Sequence, residues 1–255
     1  MKKILYCKEK RIYLEDLGKE VRTQKSKFYY IDDTKDFSCN EGLIKKEDLN
    51  SSDIVTNIGK EFYSFPATFY DDFKHIKRGA QIITPKDIGI IITETGLNKD
   101  SVVVEGGSGS GALACYLAKI VKHVTSYEIK EENQNVLKEN MLRLGITNIT
   151  SKLNDITKKI DEKDVDTIIL DLPQPWEALD TAFSALKVGG FIVAYCPTIT
   201  QISKFAEAVS SNDKLFFVKV IELIERKWKV KGRAVRPVSE AIGHTAFLMF
   251  VRRVN

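Results

Sequence analysis

An α/β fold, with a mostly parallel sheet covered by helices on both faces and a small β module ahead of it, is the architecture this sequence predicts. Three observations carry that expectation. Beyond residue 70, apolar runs of strand length alternate with stretches that are apolar at helical spacing. Glycine-rich breaks punctuate that alternation. Before residue 70, β-prone segments are separated by polar turns, with no helical period. A length of 255 residues accommodates one large domain with a small appended module. Hydrophobic residues at 43% and charged residues at 29% exclude a disordered chain.

The elements follow in order. Lys3-Ile4-Leu5-Tyr6, Arg11-Ile12-Tyr13-Leu14 and Lys27-Phe28-Tyr29-Tyr30-Ile31 are the β-prone segments of the first module. Asn50-Ser51-Ser52-Asp53 is a turn cluster, and an aromatic-rich run from Phe62 to Phe73 marks the change of texture. The expected domains are therefore 1–70, β-rich, and 71–255, carrying the α/β pattern. In the second domain Val102 to Glu105 is a buried strand, Gly111 to Val121 a helix and His123 to Ile129 the next strand. A polar amphipathic helix spans Glu131 to Leu144 and is closed by Gly145. Asn148 to Leu153 and Val165 to Leu170 are strands, and Trp176 to Leu186 is a helix stopped by Gly189-Gly190. Phe191 to Cys196 is a further strand, followed by a helix around Thr200 to Ser210. Leu215 to Lys229 and Thr245 to Val254 are strand-like with no strong helix between them, which predicts an antiparallel hairpin at one sheet edge.

Charge and cysteine usage exclude several classes. Lys plus Arg is 39 against 35 for Asp plus Glu, and a net charge of +4 does not by itself predict a nucleic-acid partner. Cys7, Cys39, Cys115 and Cys196 are scattered singly, with no CxxC pair and no His at metal-ligand spacing. Reduced thiols, a cytoplasmic location and no metal are expected. No apolar run approaches the roughly 20 residues of a membrane helix, so neither membrane spanning nor secretion is expected.

Glu105-Gly106-Gly107-Ser108-Gly109-Ser110-Gly111 joins a strand to a helix, the setting in which glycines let the backbone turn tightly and approach a ligand. The spacing is ExGxGxG and not the GxGxxG of dinucleotide enzymes, which argues against an oxidoreductase. Glu128 ends the next strand, placed to take two ribose hydroxyls. Asp155 follows the third strand, and Asp171-Leu172-Pro173-Gln174-Pro175-Trp176 follows the fourth, where open parallel sheets bind ligands.

The glycine loop resembles motif I of the class I S-adenosylmethionine-dependent methyltransferases. Taken with Gln81-Ile82-Ile83-Thr84-Pro85-Lys86-Asp87, with Arg236-Pro237 and with Gly243-His244-Thr245-Ala246-Phe247-Leu248, the chain resembles the tRNA (adenine-N1)-methyltransferases that act on adenosine 58 of the T-loop. The resemblance implies a Rossmann-like class I methyltransferase sheet and a homotetramer that binds tRNA. It implies S-adenosylmethionine as cofactor, held by Gln81, Glu105, Gly107, Ser108, Gly109, Ser110, Gly111, Glu128, Asp155 and Asp171. Asp171 is the implied catalytic residue, and Tyr70, Tyr195, Arg233, Arg236, His244 and Thr245 are the implied substrate contacts. Two positions depart from the family pattern: Gln174 stands where Glu is usual, and Ala246 where Gly is usual. Archaeal relatives also modify adenosine 57, so the resemblance leaves both positions open.

The chemistry suits these residues. Adenine N1 carries a lone pair at neutral pH, so alignment matters more than a strong base. The methylated base is cationic, and a carboxylate such as Asp171 near its N1/N6 edge accepts from the amine and offsets that charge. N1 is hidden in the folded T-loop, so the base must leave its stack, and Tyr195, Tyr70 or Phe69 are candidate stacking surfaces, with Trp176 another that suits packing better. The stretch from Arg226 to Arg236 alternates basic with apolar residues, which suits phosphate contacts and equally suits a solvated edge. The competing readings are a methyltransferase of the same fold acting on a corrinoid precursor or on protein isoaspartate, and a non-catalytic tRNA-binding subunit. Retention of the glycine loop and of Asp171 argues against the latter.

Overall fold

The computed structural model describes residues 1–51, 53–79 and 81–255. The chain divides into two compact units, Met1–His75 and Ile76–Asn255.

In the first unit the strands are β1 (Lys2–Cys7), β2 (Lys10–Leu14), β3 (Lys19–Gln24), β4 (Lys27–Asp32), β5 (Phe37–Cys39), β6 (Gly42–Ile44), β7 (Asp53–Val55) and β8 (Glu61–Pro66). Four form an antiparallel sheet in the order β4-β1-β8-β7, and β2–β3 and β5–β6 are separate two-stranded hairpins. Leu5 and Cys7, two positions apart on β1, turn the same way and pack with Ile31, Ile44, Leu49, Ile54 and Phe62 into this unit's core. Helix α1 (Phe69–Lys74) closes the unit. Thr68 and Asp71 form a reciprocal capping box at its start.

The second unit opens with α2 (Pro85–Thr95) and continues through β9 (Val102–Gly106), α3 (Ala112–Leu117), β10 (His123–Glu128), α4 (Glu131–Leu144), β11 (Ile149–Leu153) and β12 (Val165–Leu170). It ends with α5 (Leu179–Ala185), β13 (Leu186–Cys196), α6 (Ile199–Ser210), β14 (Leu215–Glu222), β15 (Trp228–Lys231), β16 (Ala234–Pro237) and β17 (Phe247–Arg253). Seven strands make one sheet in the order β11-β10-β9-β12-β13-β17-β14. The first five are parallel, and β17 runs antiparallel to both β13 and β14. Val103, Val104, Ile168, Ile169 and Leu170 are fully buried, as the central strands of a parallel sheet require. Ile202, Phe205 and Val209 bring the apolar stripe of α6 onto the same cluster, at helical spacing.

The mostly parallel sheet, its antiparallel C-terminal edge and the β-rich N-terminal module all match expectation. Three details differ from the sequence reading. The segment expected as a helix over Trp176 to Leu186 is a 3-10 turn, Pro175–Ala178, followed by the short α5, and the next strand already begins at Leu186. That strand runs through Gly189-Gly190, because a Cβ on Gly190 would stand 2.9 Å from the Asp166 carbonyl oxygen. Glycine there permits close strand approach and does not stop a helix. The long strand expected from Leu215 to Lys229 ends at Glu222, and Trp228 starts a separate ribbon of β15 and β16. Helix α2 was not foreseen, although Thr84 at its N-cap, Pro85 in its first turn and the left-handed Gly96 after it are ordinary start and stop signals.

Candidate active site

The loop after β9 passes through Gly107, Gly109 and Gly111, which have φ of 90°, 50° and 73°. A Cβ on Gly107 would lie 2.1 Å from the Asp171 carbonyl oxygen, and one on Gly111 would lie 2.1 Å from Leu137 Cδ1. Both positions exclude a side chain by conformation and by space. Gly111 serves packing against α4 and does not line the cleft described below, unlike the rest of the loop.

Glu105, 1% exposed at the end of β9, accepts from Ser126 Oγ at 2.5 Å and from the backbone N–H of Ala114 in the first turn of α3. Helix α3 has no side-chain cap of its own, so this carboxyl satisfies a donor that would otherwise be orphaned. Burial pushes the Glu105 carboxyl up to about 8, and the neighbouring Asp171 charge adds to the rise. Glu128, at the end of β10, takes four N–H donors. Its Oε1 accepts from Ile129 at 2.9 Å and Lys130 at 3.0 Å, and its Oε2 from the Gly109 backbone at 3.0 Å and the Asn133 amide at 3.3 Å. Four donors fill the four acceptor positions of a carboxylate, so a ligand hydroxyl on Glu128 would replace the longest of them, Asn133.

Asp155 Oδ1 accepts from the backbone N–H of Thr157 at 2.9 Å and from its hydroxyl at 2.7 Å, which holds the carboxyl below its usual range. The Asp171 backbone N–H donates to Gly106 O at 2.9 Å, joining the two strand ends. Its carboxyl has no hydrogen-bond partner among the described residues, and burial pushes it up to about 7.

Gln81, Glu105, Gly107 to Ser110, Glu128, Asp155 and Asp171 all line one cleft of about 720 Å³. That volume lies in the range of small-molecule and cofactor sites. Several lining residues were not singled out from the sequence: Ile82, Ile83, Leu113, Asn133, Ile156, Leu172 and Gln201. Asn133, in the first turn of α4 and five positions after Glu128, carries its amide back to that carboxylate. Gln201, whose amide donates to Pro173 O at 3.0 Å, comes from α6 and left no local signal.

The implied substrate residues are placed elsewhere. Tyr195 ends β13, 6% exposed, and the β12–β13 register of Leu170 with Ala194 sets it beside Asp171. Thr245 Oγ1 bonds Asp87 and Lys86, and His244 bridges Glu222 at 2.5 Å and Pro197 O at 2.8 Å. Arg233 lies in the turn of the β15–β16 ribbon and Arg236 on its second strand, both exposed. Tyr70 belongs to the first unit, on α1, with the Lys74 ammonium 4.1 Å over its ring. None of these six lines the cleft. No group of three or more metal-ligating side chains occurs among the described residues, and the four cysteines are free. Among the described residues, no helix is long and apolar enough to cross a membrane.

Numbered within the second unit, the sheet strands run 3-2-1-4-5-7-6, and the cleft opens where the order reverses beside the first strand. That topology defines a class I methyltransferase. A family model described as the tRNA methyltransferase complex GCD14 subunit matches residues 74–236, and the chain belongs to that family. It is similar to the tRNA (adenine(57)-N(1)/adenine(58)-N(1))-methyltransferase TrmI of Methanocaldococcus jannaschii, 34% identical over 247 residues covering 85% of this chain and 87% of that protein. It is also similar to the tRNA (adenine(58)-N(1))-methyltransferase TrmI of Thermus thermophilus, 32% identical over 78% of this chain and 80% of that protein. A solved SAM-dependent O-methyltransferase from Thermotoga maritima superposes with a TM-score of 0.81 at 27% identity, covering 100% of this chain and 93% of that one.

Proposed function

We propose that the second unit transfers the methyl group of S-adenosylmethionine to N1 of an adenosine in the T-loop of tRNA, at position 58 and, as in the archaeal relative, 57. The residues present fit that cofactor: a glycine loop with no room for a side chain at Gly107, carboxylates on three successive strand ends, and the Asp171 carboxyl with no hydrogen-bond partner among the described residues, all on one cleft. Gln81, the loop, Glu128 and Asp155 would hold it. When bound, S-adenosylmethionine supplies an electrophilic methyl group on a positively charged sulfur.

One observation carries the reading. Asp171 offers a carboxyl that burial holds near about 7, with no hydrogen-bond partner among the described residues, at the end of β12 and beside the strand end that carries Tyr195. Adenine N1 needs no base to free its lone pair, so the protein must orient the base and accommodate the cation that forms. Ionised Asp171 accepts from the N6 amine and balances the new positive charge. The ribbon residues Arg233 and Arg236 would meet tRNA phosphates, Tyr70, Tyr195, His244 and Thr245 would contribute to substrate placement, and a cytoplasmic homotetramer is the expected form.

The test is to incubate the protein with labelled S-adenosylmethionine and an unmodified tRNA transcript and to identify the product nucleoside by mass spectrometry. We expect 1-methyladenosine, lost in Asp171→Ala, with primer-extension arrest mapping the position. Cofactor binding without methyl transfer to tRNA would sink the reading.

A further inference from the structure

The turn that follows Asp171 forms one wall of the cleft, through Leu172, Pro173 and Gln174. It is poor in backbone donors, because Pro173 and Pro175 carry no N–H. Locally, the Glu177 N–H donates to Gln174 O at 3.1 Å. Among the described residues, the hydrogen bond that ties this turn to another element comes from a side chain 28 positions on, where the Gln201 amide of α6 donates to Pro173 O at 3.0 Å. Gln201 also lines the cleft, so both partners of this contact border the same space. Three residues further along α6, and therefore on the same side of the helix, Lys204 holds its ammonium 5.2 Å over the Trp176 ring. Helix α6 thus grips the turn on both sides of Gln174, while Ile202, Phe205 and Val209 anchor the helix in the core.

The same glutamine has a second task. Its Oε1 accepts from the Thr198 backbone N–H at 3.0 Å and from the Thr198 hydroxyl at 2.8 Å. Its own backbone N–H donates to Thr198 Oγ1 at 3.3 Å, which completes a capping box at the start of α6. The two tasks use different atoms, oxygen for the cap and nitrogen for the turn. The reverse orientation would set the amide NH2 against the Thr198 N–H and the amide oxygen against the Pro173 carbonyl. A helix start held for its own sake is made equally well by glutamate, which has no nitrogen to give. Glutamine is what the contact to Pro173 requires.

We infer that Gln201 is a positioning residue for the acceptor: its amide sets the turn after Asp171, and with it the wall against which the target base is aligned. This rests on the reading of Asp171 as the carboxylate on the acceptor side.

Variants of the full chain separate the turn contact from the helix cap. Gln201→Glu keeps the acceptor of the cap and loses the donor to Pro173. Thr198→Val weakens the cap and leaves the amide in place, and Gln201→Met loses both without adding a charge. Each is assayed for kcat and KM on tRNA, for the Kd of S-adenosylmethionine and for melting temperature. Misplacing a reacting base by about 1 Å costs on the order of 100-fold. We expect both Gln201 variants to lower kcat on tRNA roughly 10- to 100-fold, with the cofactor Kd within about 2-fold of wild type. Thr198→Val should keep kcat within about 2-fold, and should share with Gln201→Met a melting point lower by roughly 2–4 °C that Gln201→Glu does not show. A kcat that follows the melting temperature across the variants, a Gln201→Met with wild-type kcat, or a cofactor affinity that falls along with kcat would overturn the inference while leaving tRNA methylation intact. If Gln201→Met does not fold, Gln201→Glu and Thr198→Val still make the comparison. A wild type that makes no 1-methyladenosine would instead overturn the functional reading, and this inference with it.

Discussion

Replacing Asp171 by Asn should make the protein more stable while abolishing its activity. The carboxyl is moved from an ordinary 3.8 to about 7 by burial, with no hydrogen bond from the described residues to offset it. At about 1.36 kcal/mol for each tenfold change in proton affinity, ionising it in the fold costs about 4 kcal/mol more than in the unfolded chain. Water reaching the open cleft reduces that cost, and about 2 kcal/mol is the expected measurement. The sign follows from the raised value. The folded state binds the proton more tightly than the unfolded state, so wild-type stability falls as pH rises from about 4 to about 7 and then levels. Asn has no such dependence, and the variant should match the wild type below pH 4 and exceed it by ~2 kcal/mol above pH 7. That gain corresponds to a melting-point rise of roughly 4–8 °C for a unit of this size. Urea unfolding followed by tryptophan fluorescence suits the test, because both tryptophans, Trp176 and Trp228, lie in the second unit. A variant no more stable than wild type at pH 8.5, or a difference independent of pH, would refute the assignment of Asp171 as an uncompensated acid.

Three further outcomes are expected. Gly107→Ala forces a Cβ to 2.1 Å from the Asp171 carbonyl at a φ of +90°, and should cost more than about 1 kcal/mol in urea unfolding and abolish cofactor binding in calorimetry. His244 presents both ring nitrogens to acceptors, and Glu222 foremost, then Pro197 O, raises its pKa, so both contacts are made by the imidazolium and one is lost as pH rises through that value. Its NMR titration should show a midpoint above the ordinary 6.5 that drops in Glu222→Gln. On the β15–β16 ribbon, Lys229 stands opposite Arg236, and the alternation puts Lys231 on that same face. Changing Lys229, Lys231 and Arg236 together to Gln should lower the salt slope of tRNA affinity by about 2, at roughly 0.7–0.9 per phosphate contact, with cofactor affinity unchanged.

What could be read in the sequence was whatever neighbouring residues decide among themselves. The ExGxGxG loop, the strand-end acids Glu105, Glu128, Asp155 and Asp171, and helix α4 with its Gly145 stop all follow from local backbone demands, and each is where the spacing put it. The borders of Leu186 to Cys196 were misjudged, because glycines at strand crossings look like glycines that end helices until the partner strand is known. Contacts across long separations left no trace. Nothing in Pro85-Lys86-Asp87 says that Asp87 will meet Thr245, and nothing near Gln201 says that it will bond Pro173. Leu215 to Lys229 reads as one strand from its composition, and only the pairing shows that it ends at Glu222 and that Trp228 begins a separate ribbon.

The place of β17 has a consequence for how the chain acquires its fold. It follows β14 in sequence yet lies between β13 and β14, hydrogen-bonded to both. As the chain emerges from a ribosome, β14 therefore lacks its native partner strand, and Leu215, buried in the finished sheet, waits in water until β17 arrives. Meanwhile the exposed edge of β13 is a docking line for any passing strand. Completion of the sheet is a late, non-local event that one short segment controls, and it is the same event that carries Thr245 to Asp87. Nascent chains stalled before Phe247 should consequently be more prone to aggregate than chains in which β17 has emerged.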